Sequence, residues 1–262
     1  MIEKCLFNNN NNSNNNNNNV IMNTPTTDIL QKVIQIQSWF RGNVLRLKRL
    51  PPAMYYVQRY IKSCVFEFAK NTDDGRINSC IDEDKIIALL NEKFPYRIKK
   101  PNIRMWYDLL IFDRQYGWLP VNIKTTTTTT HDNIGNLATC VYSYTDYEMD
   151  IERTKTYENG KMSIILVDKL KKMTFNQNNK RDYYFLVLNK NDPNEVIINS
   201  IKGLTILTPN INNLPFQVCW SKNKTFNYGK INLKVIMFLK CLQRPSPSWK
   251  ETFMTELRTI NL

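Results

Sequence analysis

Apolar and polar residues follow more than one rhythm along this chain, and each change of rhythm marks an element. Apolar positions recur at helical spacing after Pro25-Thr26-Thr27-Asp28 and continue to Leu50, where Pro51-Pro52 stops the predicted helix. A second helix is predicted over 53–69, with Met54, Val57, Tyr60, Ile61, Cys64, Val65 and Phe68 on a broad apolar face. The polar run Asn71-Thr72-Asp73-Asp74-Gly75 breaks it. Ser79 is the expected N-cap of a third helix that reaches about Lys93 and turns Ile81, Ile86, Leu89 and Leu90 inward before Pro95. The period then shortens. Residues 103–113 and 118–124 are rich in Ile, Leu, Val, Trp and Tyr and flank the connector Arg114-Gln115-Tyr116-Gly117, which predicts a β-hairpin. Residues 132–136, Asp-Asn-Ile-Gly-Asn, read as a polar turn, 137–147 fit helix or strand, and 162–172 read as a helix closed by Lys169, Lys171 and Lys172. Strands are predicted at 183–188 and 196–201 around a turn at 191–194, with 203–209 extending the sheet and 213–220 forming a further apolar segment. Helices at 231–242 and 247–257 close the chain, with Trp249 as a packing anchor of the second. Together these elements predict an α/β fold: a mixed central sheet flanked by helices and preceded by a helical N-terminal section.

Composition adds boundaries. Residues 8–19 are eleven asparagines and one serine, which bury no apolar area to offset their ordering entropy, so 1–25 is expected to be a disordered tail. The helical section then covers 26–70 and the core 71–262. The chain carries 36 basic and 23 acidic residues, a net charge of +13. Such an excess favours a polyanionic partner, and it is equally the mark of a lysine-rich proteome. The six cysteines contain no CxxC pair, so neither a zinc site nor a disulfide framework is indicated. No apolar run approaches the ~18 residues of a membrane span, and the start lacks signal-peptide architecture. An intracellular protein without a membrane partner is expected, in the cytoplasm or nucleus of a host cell.

Candidate chemistry concentrates in the hairpin. Asp108 interrupts the first strand; Asn122 and Lys124 interrupt the second and, being two apart, project from one face. An acid, an amide and a lysine on neighbouring strands are costly unless they hold a metal or meet an ionic ligand. One histidine, His131, excludes a histidine-based metal cluster and a Ser-His-Asp hydrolase. No phosphate loop of the G-x-x-x-x-G-K-[ST] type is present among only seven glycines.

The pattern Asp108…Asn122-Ile123-Lys124 resembles the signature of the PD-(D/E)xK nuclease superfamily, and VNIKTTTT is similar to the corresponding strand of EcoRV-like restriction enzymes. The resemblance spans about residues 76–220. It departs at Asn122, where the family usually has an acid. It implies a restriction-endonuclease-like sheet, hydrolysis of double-stranded DNA with Mg²⁺ or Mn²⁺, and a homodimer. By the same resemblance Asp108 is the central metal ligand and Glu83, from the preceding helix, a second, with Glu92 as runner-up; both glutamates also fit ordinary solvated helix acids. Asn122 lends its amide oxygen, Ile123 its carbonyl, and Lys124 orients water or stabilises the phosphoryl oxygens. Thr125 and Thr126 offer hydroxyls to phosphates, or belong to a codon-repeat loop. Gln217 and Asn223 are able to pair with adenine edges, and Lys222 to meet the backbone. Loss of the second acid leaves open a catalytically weak or inactive DNA-binding protein of the same fold.

Residues 36–46, IQSWFRGNVLR, match the IQ motif at Ile36, Gln37, Arg41, Gly42 and Arg46. That resemblance implies an adaptor helix for a calmodulin-like protein; a basic amphipathic helix along DNA, or an ordinary packing stripe, fits the same residues. The asparagine tract resembles proteins of large AT-rich DNA viruses or amoebae.

Overall fold

Pro51 and Pro52 cannot continue a helix but suit the start of one, because the first turn needs no N–H donors. Helix α1 (Pro52–Ser63) accordingly begins inside the pair and buries Met54, Val57 and Ile61. It ends six residues before the predicted end. Val65, which the spacing puts on the apolar face, is 96% exposed. The cause lies in the next helix: the Ala69 N–H donates to the buried Asp82 carboxylate at 2.7 Å, and the intervening residues 65–68 are neither helix nor strand. Helix α2 (Gly75–Lys93) starts four residues before Ser79, because Asp74 caps it by accepting from the Arg76 N–H.

The computed structural model describes residues 31–37, 50–70, 73–101, 105–134, 136–153, 159–176, 181–209, 216–229, 231–242, 255 and 259. The chain divides into two units, 1–45 and 46–262. In the first, residues 31–37 are helical, with Val33, Ile34 and Ile36 exposed. Of the IQ-type positions, Ile36 and Gln37 fall there; Arg41, Gly42 and Arg46 lie outside the described residues, as do the asparagine tract and Trp249. Helix α1, grouped by sequence with the N-terminal section, packs against strands of the second unit.

That unit is mixed α/β. Strands β1 (Ile98–Lys99), β2 (Leu109–Asp113) and β3 (Gly117–Thr126) form an antiparallel meander. The hairpin turn is fixed by the Asp113 carboxylate, which accepts from the N–H groups of Gln115 and Tyr116, and by Gly117 at φ +76°, a value that favours glycine. After β3 come β4 (His131–Ile134), α3 (Leu137–Tyr144) and α4 (Asn159–Lys171). The helix-or-strand segment is thus a helix, capped by Asn136, while His131 opens a strand. Strand β5 (Tyr184–Asn189) returns parallel to β3, and β6 (Asp192–Ser200) pairs antiparallel with β5, giving the order β1-β2-β3-β5-β6. The β5–β6 turn is tighter than predicted, so Asp192-Pro193-Asn194 already belong to β6. A second sheet, β4-β8-β7, uses β7 (Thr208–Pro209) and β8 (Phe216–Cys219); α5 (Ile231–Leu242) follows.

Strand periodicity sends alternate residues to two cores. Leu109, Ile111, Leu119, Val121 and Ile123 pack with α1 and α2 in a mainly aliphatic core. Leu110, Phe185 and Val187 pack with α3, α4 and the second sheet around Trp106, Tyr183 and Trp220. Among the described residues no helix is long and apolar enough to cross a membrane.

Candidate functional site

At its first residue β2 hands over to a side chain. The Asp108 N–H donates to the Val121 carbonyl at 3.0 Å, the carbonyl of the residue paired with Leu109, so the regular register ends where β2 begins. One residue further the ladder partner of Ile123 is the Asp108 carboxylate itself, which accepts the Ile123 N–H at 2.7 Å. A strand residue points its N–H and C=O to the same side. The Ile123 carbonyl therefore faces the same gap beyond the end of β2.

Asn122 and Lys124 share the aromatic face of β3, as their spacing requires. Glu83 arrives from α2: it sits three, four and seven residues before the buried Ile86, Ile87 and Leu90, on the sheet-facing side of the helix. Its charge environment locates it. Burial pushes the Glu83 carboxyl up to about 7, helped by the negative charges of Asp108 and Asp84 and opposed by Lys124 and Lys100. Burial likewise raises Asp108 to about 6, against the Ile123 N–H and the Lys124 ammonium. Glu83, Asp108 and Lys124 thus act on one another. Glu92 is exposed, and its charge is felt by Tyr60.

Asn122 carries the most specific sign of an incomplete site. Its Oδ1 is buried with no hydrogen-bond partner. Its amide meets the Tyr183 hydroxyl, which donates to the Trp106 carbonyl at 2.9 Å. A buried acceptor without a donor costs on the order of 1–3 kcal/mol, which a cation would offset. The donors available are two carboxylates, an amide oxygen and a main-chain carbonyl, a hard oxygen set suited to Mg²⁺ or Mn²⁺. Among the described residues no three His, Cys, Asp or Glu side chains converge as metal ligands.

The positions read as DNA contacts divide. Lys222 is exposed. Thr125 is half-buried, with a buried and unpartnered Oγ1. Thr126 is buried, its hydroxyl donating to Asp132 at 3.2 Å. The Gln217 amide donates to Asn133 at 2.8 Å, across the β4–β8 pair. Asn223 requires a correction. It is 1% exposed, its Oδ1 accepts from the N–H groups of Thr205 and Ile206, and its Nδ2 donates to the Ile206 and Cys219 carbonyls. Both ends of the amide bind the fold, so no adenine edge can reach it.

Two residues escaped the sequence reading. Tyr183 lies one residue before β5 and carries its hydroxyl to Asn122. Asp132, within a segment that read as a polar turn, is in β4, where it accepts from the Trp220 indole N–H at 2.6 Å. A separate cleft of about 560 Å³ lies at the turn end of the hairpin, lined by Tyr56, Phe94, Arg97, Phe112 and Arg114 among others. Its nearest lining residue on β2, Ile111, is three positions from Asp108, about 10 Å at ~3.4 Å per residue. No protein-family model matches this chain, and no curated protein matches it.

Proposed function

We propose that the chain is a Mg²⁺- or Mn²⁺-dependent endodeoxyribonuclease acting on double-stranded DNA, of the restriction-endonuclease-like kind that its Asp108…Asn122-Ile123-Lys124 pattern resembles. The observation that carries this reading is the Asp108 carboxylate held on the Ile123 N–H next to the buried, unpartnered Oδ1 of Asn122, with the charges of Glu83 and Lys124 acting in the same neighbourhood. When bound, a hard divalent cation supplies charge relief at the attacked phosphate and makes a water more acidic. Asp108, Glu83, the Asn122 amide oxygen and the Ile123 carbonyl would hold it. Asp108 is oriented for that work by the Ile123 N–H, and Asn122 by Tyr183. Lys124 holds its ammonium where it can align the attacking water or balance charge on the non-bridging phosphate oxygens. The +13 net charge supports retention of a polyanion, with Lys222 as one exposed contributor. By analogy with palindrome-cutting relatives the active form is a homodimer.

The test is cleavage of duplex DNA by the purified chain. Mg²⁺-dependent products are expected, and they should vanish in Lys124→Ala and in Asp108→Ala. Equal cutting by wild type and Lys124→Ala would remove the assignment. One observation favours a second reading, DNA binding without hydrolysis: position 122 supplies an amide where the family usually has an acid. Salt-sensitive DNA affinity without products in Mg²⁺ or Mn²⁺ would select it.

A further inference from the structure

We propose that the cleft at the turn end of the hairpin binds one nucleotide, its base in the cleft and its phosphate on Arg97 and Arg114. The inference does not rest on the nuclease reading, because the cleft shares no residue with Asp108, Glu83, Asn122 or Lys124.

The inner side of the cleft is apolar, formed by the buried Val57, Ile98 and Ile111. At about 560 Å³ it falls within the range of small-molecule sites, roughly 300–1,000 Å³. Three rings line it: Tyr56 from α1, Phe94 just after α2 and Phe112 on β2. Two of them are held edge-on by a second ring, Phe94 by Tyr60 at 5.6 Å and Phe112 by Trp118 at 5.2 Å. Tyr56 is 59% exposed, so aromatic surface stays in water there unless a ligand covers it.

Charge defines the other half of the ligand. Arg97 and Arg114 line the same cleft, and both are exposed. The Phe112 N–H donates to the Arg97 carbonyl at 2.8 Å, and Arg114 follows Phe112 by two residues, so both side chains start from one corner of the sheet. Among the described residues neither guanidinium has a hydrogen-bonded or ion-paired acceptor. Asp113, the acid in the lining, is buried and accepts three main-chain N–H groups, which occupies its oxygens. Two forks of N–H donors beside a ring-lined slot match a phosphate carried by a planar base. A long-chain carboxylate would also meet the arginines, but three rings favour a flat body over a chain. Gln115 is the one amide in the described lining, so discrimination among the four bases should be weak. The same contacts serve a free mononucleotide and a nucleotide within a DNA strand.

The test is calorimetric titration of the full chain in chelator. The probes are the four deoxynucleoside 5′-monophosphates, the matching nucleosides, inorganic phosphate, decanoate and a short oligothymidylate. The nucleosides and phosphate should each bind about tenfold or more weaker than the monophosphates. Arg97→Ala and Arg114→Ala should each weaken monophosphate binding by about five- to tenfold, with thermal unfolding unchanged because both side chains lie on the surface. Ala53→Phe adds a ring to the lining and should weaken the monophosphates without affecting phosphate. If that variant does not fold, the arginine variants decide. Oligothymidylate binding tighter than thymidine monophosphate, and weakened by the same arginine variants, assigns the site to a strand. The opposite order assigns it to the free nucleotide. Equal affinity for phosphate and monophosphates, unchanged affinity in both arginine variants, tighter binding of decanoate, or no binding of either nucleotide probe would each overturn the proposal. No metal is present in this titration, so its failure and the failure of the cleavage assay are separate results.

Discussion

Strand β2 is bounded by two aspartates, and they are treated in opposite ways. Asp113, at the turn end, is 4% exposed and accepts three main-chain N–H groups, from Ala53, Gln115 and Tyr116. It ties the first turn of α1 to the hairpin and closes the turn. Asp108, at the open end, accepts one, from Ile123, and faces a second carboxylate. The first acid has its donors supplied by the fold. The second is left short of donors and beside like charge. A buried acid of the first kind is architecture; one of the second kind is a place where the chain needs something it does not itself contain.

The sharpest way to break this contrast is to exchange the losses. Asp108→Ala should lower cleavage at least 10³-fold, as expected for removal of a central charge-holding group, while Asp113→Ala should lower it only in proportion to unfolded protein. Stability should respond in the opposite order: Asp113→Ala should cost about 1–3 kcal/mol in denaturant unfolding, because three partly buried hydrogen bonds lose their acceptor. Asp108→Asn should cost little, or stabilise the metal-free chain.

The pH dependence sharpens the comparison further. Asp108 and Glu83 hold protons more tightly in the folded chain than in the unfolded one, with folded values of about 6 and 7. Stability contributed by their protonated forms is full near pH 4 and falls as pH rises towards 7. In chelator, Asp108→Asn should flatten that fall by on the order of 1 kcal/mol, read from thermal unfolding between pH 4.5 and 7.5. Cleavage should follow the reverse limb, rising through the same window as the carboxylates ionise. The smallest effect is expected at Asn122→Asp, which should keep cleavage or raise it a few-fold at saturating Mg²⁺; complete loss would give Asn122 another role.

The hairpin was legible because its residues obey local rules: period-two apolar runs, a glycine after a short connector, and a polar pair two residues apart. The helical class of 162–172 was legible for the same reason, since its apolar spacing and closing lysines are local. Long-range bonds set what was missed. Helix α1 stops early because Ala69 must reach Asp82, and nothing near Val65 encodes that. Asn223 looked available to a base because a lone amide after a lysine reads as surface, yet it bridges the turn after β8 to Thr205 and Ile206. Asp132 looked like part of a turn because β4 is a short strand stabilised by a partner more than eighty residues away, at 216–219. Glu83 was singled out only through a family resemblance; that Asn122 would leave its oxygen buried and unpartnered could not be seen before Trp106 and Tyr183 were in place.

The six threonines join the site strand to β4, and they are shared out: two complete β3, Thr128 turns the chain at φ +62° while buried, and the last precedes His131. A homopolymeric stretch of this kind is prone to gain or lose single units in replication. Here such a change would alter the tether between Lys124's strand and Asp132's strand. A chain with five or seven threonines should shift where β4 meets β8 relative to β3, which a change in thermal unfolding would report.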